Sequence, residues 1–345
     1  MREVQSLLVT GGAGFIGSNF IHSCLADRPE VRVVNLDKLT YAGNLANLQD
    51  VERHPSYRFV RGDIADRQLV QALVDELNPS AIVNFAAESH VDRSILDAAP
   101  FIETNVRGTQ ALLDVARAKW ENHLDQHLFL QVSTDEVYGD LGPTGSFIEE
   151  SPLAPNSPYS ASKAAGDLLC RAYYRTYRLP VVVTRCTNNY GPYQFPEKLI
   201  PMMILRASRG QKLPVYGDGK NVRDWIHVAD HCRALALILL RGRPGEVYNI
   251  GAGCELQNID VVRRLLTQLG KGEDLVEFVR DRPGHDRRYA LDCRKIATEL
   301  GWRPTVSFGD GLDETISWYA GHPEWIENCL TGEYRSYYEA NYGRK

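Results

Sequence analysis

A short apolar run, Leu7-Leu8-Val9-Thr10, is cut by Gly11-Gly12-Ala13-Gly14-Phe15-Ile16-Gly17, and apolar residues then recur at helical spacing (Ile16, Phe20, Ile21, Cys24, Leu25). Strand, glycine turn and helix in that order constrain the chain strongly, because they open a parallel sheet with crossover helices. Gly11, Gly14 and Gly17 give G-x-x-G-x-x-G, while Gly12, Gly14 and Gly17 also satisfy the commoner dinucleotide fingerprint. Such glycines let the backbone approach a pyrophosphate, whose charge rests on the helix N-terminal amides around Phe15 and Ile16. A second apolar run, Val31 to Leu36, ends at Asp37, 20 residues past Gly17. That is the register of an acid that binds the adenosine ribose hydroxyls and repels a 2'-phosphate, so NAD is expected over NADP. Lys38 beside it works against that preference.

Alternation continues down the chain. Strands are predicted at 59–64, 81–85, 128–132 and 180–185, and a helix at 68–77 with Asn78-Pro79 closing it. The pattern predicts an α/β fold, a Rossmann-type doubly wound parallel sheet, with a smaller, discontinuous α/β substrate-binding lobe. The expected division is 1–187 and about 225–252 for the dinucleotide-binding domain, with about 188–224 and 253–345 for the second. A chain of 345 residues, 43% hydrophobic, can bury a full core, and its net charge of -5 argues against a general nucleic-acid binder. Seven scattered cysteines without a Cys-x-x-Cys pair indicate neither a disulfide framework nor a metal site, and fit a cytoplasmic protein. No signal peptide is expected, since the first apolar run stops at Gly11, and the run Ala234 to Leu240 is too short to span a membrane.

The chemistry concentrates at Ser133-Thr134-Asp135-Glu136-Val137-Tyr138-Gly139, just past the strand Leu128 to Val132. In open parallel sheets that edge is where ligands bind. Adjacent acids usually mark a solvated loop, but here a threonine, two carboxylates and a Tyr/Lys pair can converge on one small molecule. Ser157-Pro158 is a helix start, with Ser as cap and Pro at the first position, so Tyr159 and Lys163 share one face. A neighbouring ammonium and a nicotinamide cation would favour the phenolate, making Tyr159 a base for a sugar hydroxyl.

With these motifs the chain resembles the extended short-chain dehydrogenase/reductases, and among them the dTDP-glucose 4,6-dehydratases. The resemblance rests on Asp37 to Leu45, Ala86 to Ser94, Ser133 to Gly139 and Asn188-Asn189-Tyr190-Gly191-Pro192-Tyr193. It implies NAD-dependent oxidation of dTDP-glucose at C4, loss of water across C5–C6 and hydride return to C6. By that resemblance Tyr159 is the base at the 4-hydroxyl, Glu136 takes the C5 proton, and a protonated Asp135 assists departure of the C6 hydroxyl. Thr134 would bind the 4-oxygen, and Lys163 the nicotinamide ribose. Lys38, Thr40, Asp63, Ile64, Ala86, Ala87, Ser89, Thr104 and Asn189 would complete the cofactor site. Ser89, Asn188, Lys198, Leu199, Pro214, Tyr216, Arg223, Asn258, Arg282 and His285 would meet the substrate; Asn258 is also expected to cap the helix at 259–269. The family pattern further implies a homodimer through helices near 100–118 and 159–174, and a tail from Thr305 whose aromatic residues Trp318, Trp325, Tyr334, Tyr337 and Tyr338 pack on the second lobe. Competing readings are an epimerase, a decarboxylase or a GDP- or UDP-sugar dehydratase of the same superfamily, and a non-catalytic NAD-binding sensor. The acid pair after Thr134 disfavours the first two.

Overall fold

The computed structural model describes residues 2–330; of the aromatic tail, Trp318 and Trp325 pack on the second lobe's core, and Tyr334, Tyr337 and Tyr338 lie outside the described residues. β1 (Ser6–Thr10), α1 (Phe15–Asp27), β2 (Arg32–Asp37), β3 (Tyr57–Arg61), α2 (Arg67–Leu77) and β4 (Ala81–Asn84) follow in order. Next come α3 (Val91–Leu96), the short α4 (Ala99–Phe101), a π-helical stretch (Ile102–Gly108) that runs into α5 (Thr109–Trp120), and β5 (Leu128–Thr134). The chain continues with α6 (Pro158–Tyr177), β6 (Val181–Cys186), β7 (Asn188–Tyr190), α7 (Leu199–Ser208), β8 (Leu213–Tyr216) and β9 (Val222–His227). It closes with α8 (Val228–Arg241), β10 (Val247–Ile250), β11 (Glu255–Gln257), α9 (Asn258–Gln268), β12 (Val276–Val279), α10 (Arg294–Leu300), α11 (Phe308–Gly321) and α12 (Pro323–Cys329).

Seven strands form one parallel sheet in the order β10-β6-β5-β4-β1-β2-β3. The order reverses direction between β1 and β4, which opens a crevice beyond their C-terminal ends. β1 and β5 are buried along their whole length, as expected for strands covered on both faces. One face is packed by α1, α8 and α10, with Phe20, Ile21, Leu235, Ile238, Ile296 and Trp302 in its core. The other is packed by α2, α5 and α6, around Val70, Leu113, Trp120 and Cys170. A separate core built on Met203, Leu213, Trp225, Leu265 and Tyr319 serves the second lobe, whose strands make a three-stranded sheet (β11-β9-β7) and a two-stranded one (β12-β8). The strand crossing the expected boundary at 225, β9, belongs to the small sheet, and α10 with Trp302 packs on the large one.

Local chemistry sets the helix ends that matter for the site. Ser157 caps α6 in a reciprocal box with Ser160, with Pro158 at the first position, as its sequence predicts. Asp66 caps α2 by accepting from the Gln68 and Leu69 N–H groups, and Asn78 ends it in the left-handed region. The expected Asn258 cap is corrected: Gln257 is the capping residue of α9 and Asn258 is its first helical residue. The Asn258 N–H donates to the Asn221 carbonyl at 3.0 Å, and its buried Oδ1 has no hydrogen-bond partner.

Candidate active site

A cavity of about 300 Å³ runs over the C-terminal edge of the large sheet. At one end lies the glycine turn. Gly11 has φ +69°, and a Cβ there would sit 2.5 Å from the Ala86 nitrogen; a Cβ at Gly17 would sit 2.4 Å from the Gly11 oxygen. Gly14 meets only the Gly11 oxygen, at 3.3 Å. It is the N-cap of α1, with no side chain satisfying the first-turn amides, and Phe15, Ile16 and Gly17 line the cavity. Unpartnered helix N-terminal amides at an open cradle fit an anionic diphosphate. Gly11→Ala is expected to lower stability by about 1–3 kcal/mol through the positive φ alone and to weaken NAD binding; thermal unfolding with and without NAD checks both.

Asp37 stands at the end of β2 with both oxygens engaged: Oδ2 accepts from the Ala13 N–H at 2.9 Å and Oδ1 from the Leu39 N–H at 2.8 Å. Burial raises its carboxyl, and these two donors oppose the rise. Lys38 does not offset this acid, because its ammonium pairs with Asp63 at 2.7 Å. The rim is thus set against a 2'-phosphate. Thr40, Ile64, Ala86, Ala87, Ser89, Thr104 and Asn189 complete this wall. Asn189 is held from behind: its Oδ1 lies 2.9 Å from His231 Nδ1, and its Nδ2 donates to the Thr187 carbonyl at 3.0 Å.

Thr134, Asp135, Glu136, Tyr159 and Lys163 all reach the same cavity. β5 ends at Thr134, whose hydroxyl accepts from the Glu136 N–H and donates to Asp135 Oδ1, each at 3.3 Å, turning the chain into a 3-10 helix at Asp135–Tyr138. Asp135 is buried and its Oδ2 has no hydrogen-bond partner. Burial first, and then the Glu136 charge, hold its carboxyl well above the ordinary range. Burial raises Glu136 too, but Arg282, Arg223 and Lys198 oppose the rise. Two adjacent acids are thereby given different environments. Burial first, then the Glu136 and Cys186 charges, raise the Tyr159 hydroxyl above the ordinary phenol range, with the Thr134 hydroxyl and Lys163, whose ammonium donates to the Val132 carbonyl at 2.7 Å, beside it in the cavity.

The raised Asp135 carboxyl carries a stability consequence. The folded chain holds a proton that the unfolded chain has released above the usual carboxylate range, so stability falls as pH rises through that window. Asp135→Asn removes the group. The variant is expected to melt above the wild type at pH 8, with the difference shrinking toward pH 4; a constant or inverted difference in Tm contradicts the assignment.

Of the expected substrate residues, Ser89, Thr134, Asn188 and Lys198 line the cavity, and Leu199, Pro214, Tyr216, Arg223, Asn258, Arg282 and His285 do not. Several of the latter form a neighbouring cluster. Asp92 accepts from Tyr216 Oη at 3.3 Å and from Arg282 Nη1 at 3.2 Å, while His285 meets the Tyr216 ring edge-on and pairs with Asp281 at 2.6 Å. Arg223 stacks over the Tyr289 ring at 4.4 Å. Sequence reasoning missed Glu88, Cys186, Gln194 and Glu197 in the lining. Glu197 accepts from Tyr41 Oη at 3.0 Å and lies 3.5 Å from His90 Nε2, and burial pushes its carboxyl up to about 7. Its only signal is a place in the irregular segment Phe195 to Pro201.

A family model described as GDP-mannose 4,6 dehydratase matches residues 8–315. A dTDP-glucose 4,6-dehydratase of Xanthomonas campestris pv. campestris is 54% identical over 341 residues, covering 95% of this chain and 97% of the relative. The chain belongs to the dTDP-glucose 4,6-dehydratase family. A member from Streptomyces venezuelae, solved with NAD bound, superposes with a TM-score of 0.90 at 54% identity, covering 94% of this chain and 99% of that one. The likeness extends beyond the dehydratases: a Thermus thermophilus UDP-glucose 4-epimerase complex with NAD gives a TM-score of 0.83 at 31% identity, over 92% of this chain and 99% of that one. Asp135 and Glu136 stand on the cavity wall in this shared frame.

Proposed function

We propose that this chain is an NAD-dependent dTDP-glucose 4,6-dehydratase, a hydro-lyase that forms dTDP-4-keto-6-deoxyglucose. The observation that carries the reading is the meeting of an acid pair, a Tyr/Lys pair and a dinucleotide cradle in one cavity. Bound at the glycine end, NAD supplies the hydride acceptor and donor and brings a positively charged ring to the pocket. Gly11, Gly14, Phe15, Ile16 and Gly17 hold its diphosphate, Asp37 its adenosine ribose, and Lys163 its nicotinamide ribose. Tyr159 takes the proton of the sugar 4-hydroxyl while Thr134 donates to that oxygen. The ketone acidifies the adjacent C5–H, which Glu136 removes as base, and Asp135 delivers a proton to the departing 6-hydroxyl. The raised Asp135 carboxyl and the cation-flanked Glu136 suit those opposite roles. Lys198, Ser89 and Asn188 face the hexose, and Arg223, Arg282, His285, Tyr216, Asn258, Pro214 and Leu199 form the nucleotide end. The second lobe supplies most of that end, in keeping with a substrate domain separate from the sheet that holds NAD.

A homodimer accords with the exposed apolar side chains Ile95, Leu96 and Ile102 before α5, and Leu168 and Tyr177 on α6. Concentration-independent sedimentation as a monomer would exclude it. Among the described residues no helix is long and apolar enough to cross a membrane. All seven cysteines are free thiols, which suits a reducing cytoplasm. The direct test is incubation of the purified chain with dTDP-glucose, where a 4-keto-6-deoxy product without net accumulation of reduced cofactor is expected. Turnover of a UDP- or GDP-hexose alone would reassign the nucleotide, and inertness toward all of them with NAD bound would replace the enzyme by a sensor.

A further inference from the structure

Asn189, on β7, lines the cavity just past Cys186, whose strand register sets it beside Thr134 and whose charge acts on Tyr159 and Lys163. It therefore stands at the catalytic end of the cavity, where the reactive ring of the cofactor has to lie. Its amide is fixed on both sides. The Thr187 carbonyl can only accept, so the group facing it at 3.0 Å is Asn189 Nδ2, and Oδ1 faces His231 Nδ1 at 2.9 Å. Gln194 Nε2 donates to the Asn189 backbone carbonyl at 2.8 Å and holds the residue from a third side. His231, on α8, is fully buried, and burial pushes its imidazole down to about 3, so the ring is neutral with a single N–H. Because the Asn189 oxygen cannot donate, that N–H is on Nδ1. Nε2 has no hydrogen-bond partner.

We propose that His231 is a positioning residue for the nicotinamide end of NAD: its Nδ1–H locks the Asn189 amide in one orientation, oxygen toward α8 and nitrogen toward Thr187, so that the cofactor meets a fixed amide edge. The inference rests on the NAD site proposed above. Nicotinamide carries a carboxamide, whose oxygen needs a donor and whose nitrogen needs an acceptor, and an amide free to turn over presents the wrong sense in its other orientation. A merely space-filling position does not call for histidine. Phe or Leu would fill the same place without leaving a buried ring nitrogen unpaired. What neither supplies is the donor to Asn189, and that contact is the hydrogen bond by which the His231 ring is tied to the cavity wall.

The test compares NAD with ADP-ribose, which shares the diphosphate and the adenosine end but lacks the nicotinamide. Both are titrated calorimetrically into the full chain freed of bound nucleotide. His231→Phe and His231→Met remove the donor and keep an apolar filling; each is expected to weaken NAD binding about 3- to 10-fold, the contribution of one hydrogen bond, and to leave ADP-ribose binding unchanged. His231→Asn sets an amide nitrogen where Nδ1 stood and is expected to recover most of the NAD affinity even where its smaller side chain lowers Tm. On an Asn189→Ala background His231→Phe is expected to add no further loss, because its effect passes through that amide. Equal weakening of NAD and ADP-ribose, or no weakening of either, in whichever donor-free variant folds, makes His231 structural only and overturns the proposal, and so does an additive loss on Asn189→Ala. Failure of the wild type to bind NAD would sink the cofactor reading itself, an outcome distinct from wild-type binding that the variants leave unsplit.

Discussion

Glu136→Gln is expected to bind NAD and dTDP-glucose normally and to lose product formation by about 10²- to 10⁴-fold, the usual contribution of a positioned base. Oxidation at C4 precedes the step that needs Glu136, so the bound cofactor is expected to accumulate in reduced form. Absorbance of the reduced cofactor and quantitation of the keto product measure the two steps separately. Gln keeps the size and hydrogen-bonding of the side chain, and the backbone N–H of residue 136 still reaches Thr134, so the turn survives. The pH dependence of the wild type follows from the same pair. Elimination rises with pH as Glu136 ionises, from a carboxyl that burial has raised, and falls when Asp135, raised further, loses its proton. The two limbs of that bell belong to the coupled pair rather than to either residue. Undiminished turnover by Glu136→Gln removes it from the mechanism.

Tyr159→Phe is expected to fail one step earlier. The ring remains, packed edge-on against Phe101 with centroids 6.3 Å apart, so folding is preserved while the phenolic oxygen is lost. Removing the base at the 4-hydroxyl is expected to slow oxidation by about 10²- to 10⁴-fold, and neither reduced cofactor nor product accumulates. The contrast with Glu136→Gln is the informative part. Combining the two substitutions is expected to erase the reduced-cofactor signal of Glu136→Gln, because the blocked oxidation comes first. Persistence of that signal would place the C4 base elsewhere.

The sequence made some of this site legible because spacing along one strand or helix encodes it. Gly11, Gly14, Gly17 and Asp37 fall in register with β1, α1 and β2, and Tyr159 with Lys163 is a single helical turn after a capping box. Residues placed by tertiary contacts were harder to read. Tyr216 and Arg282 are brought together at Asp92, on a helix about 120 and 190 positions earlier, and no local pattern records that meeting. Glu197 reads as an ordinary surface acid until Tyr41 and His90 are seen to enclose it. Asn258 misled in the opposite way: an amide before an apolar stripe looks like a cap, but the preceding residue breaks from helical geometry first.

The central claim is that Glu136 and Asp135 remove water from a sugar that Tyr159 has helped to oxidise. Turnover of dTDP-glucose by the wild-type chain in deuterated water, with NMR and mass analysis of the product, tests it most directly. The expected result is a 4-keto-6-deoxy sugar carrying one solvent deuterium at C5, because the proton taken there exchanges with solvent before the carbon is reprotonated. A 4-epimer that retains its C6 hydroxyl, or a 6-deoxy product with protium at C5, would contradict it.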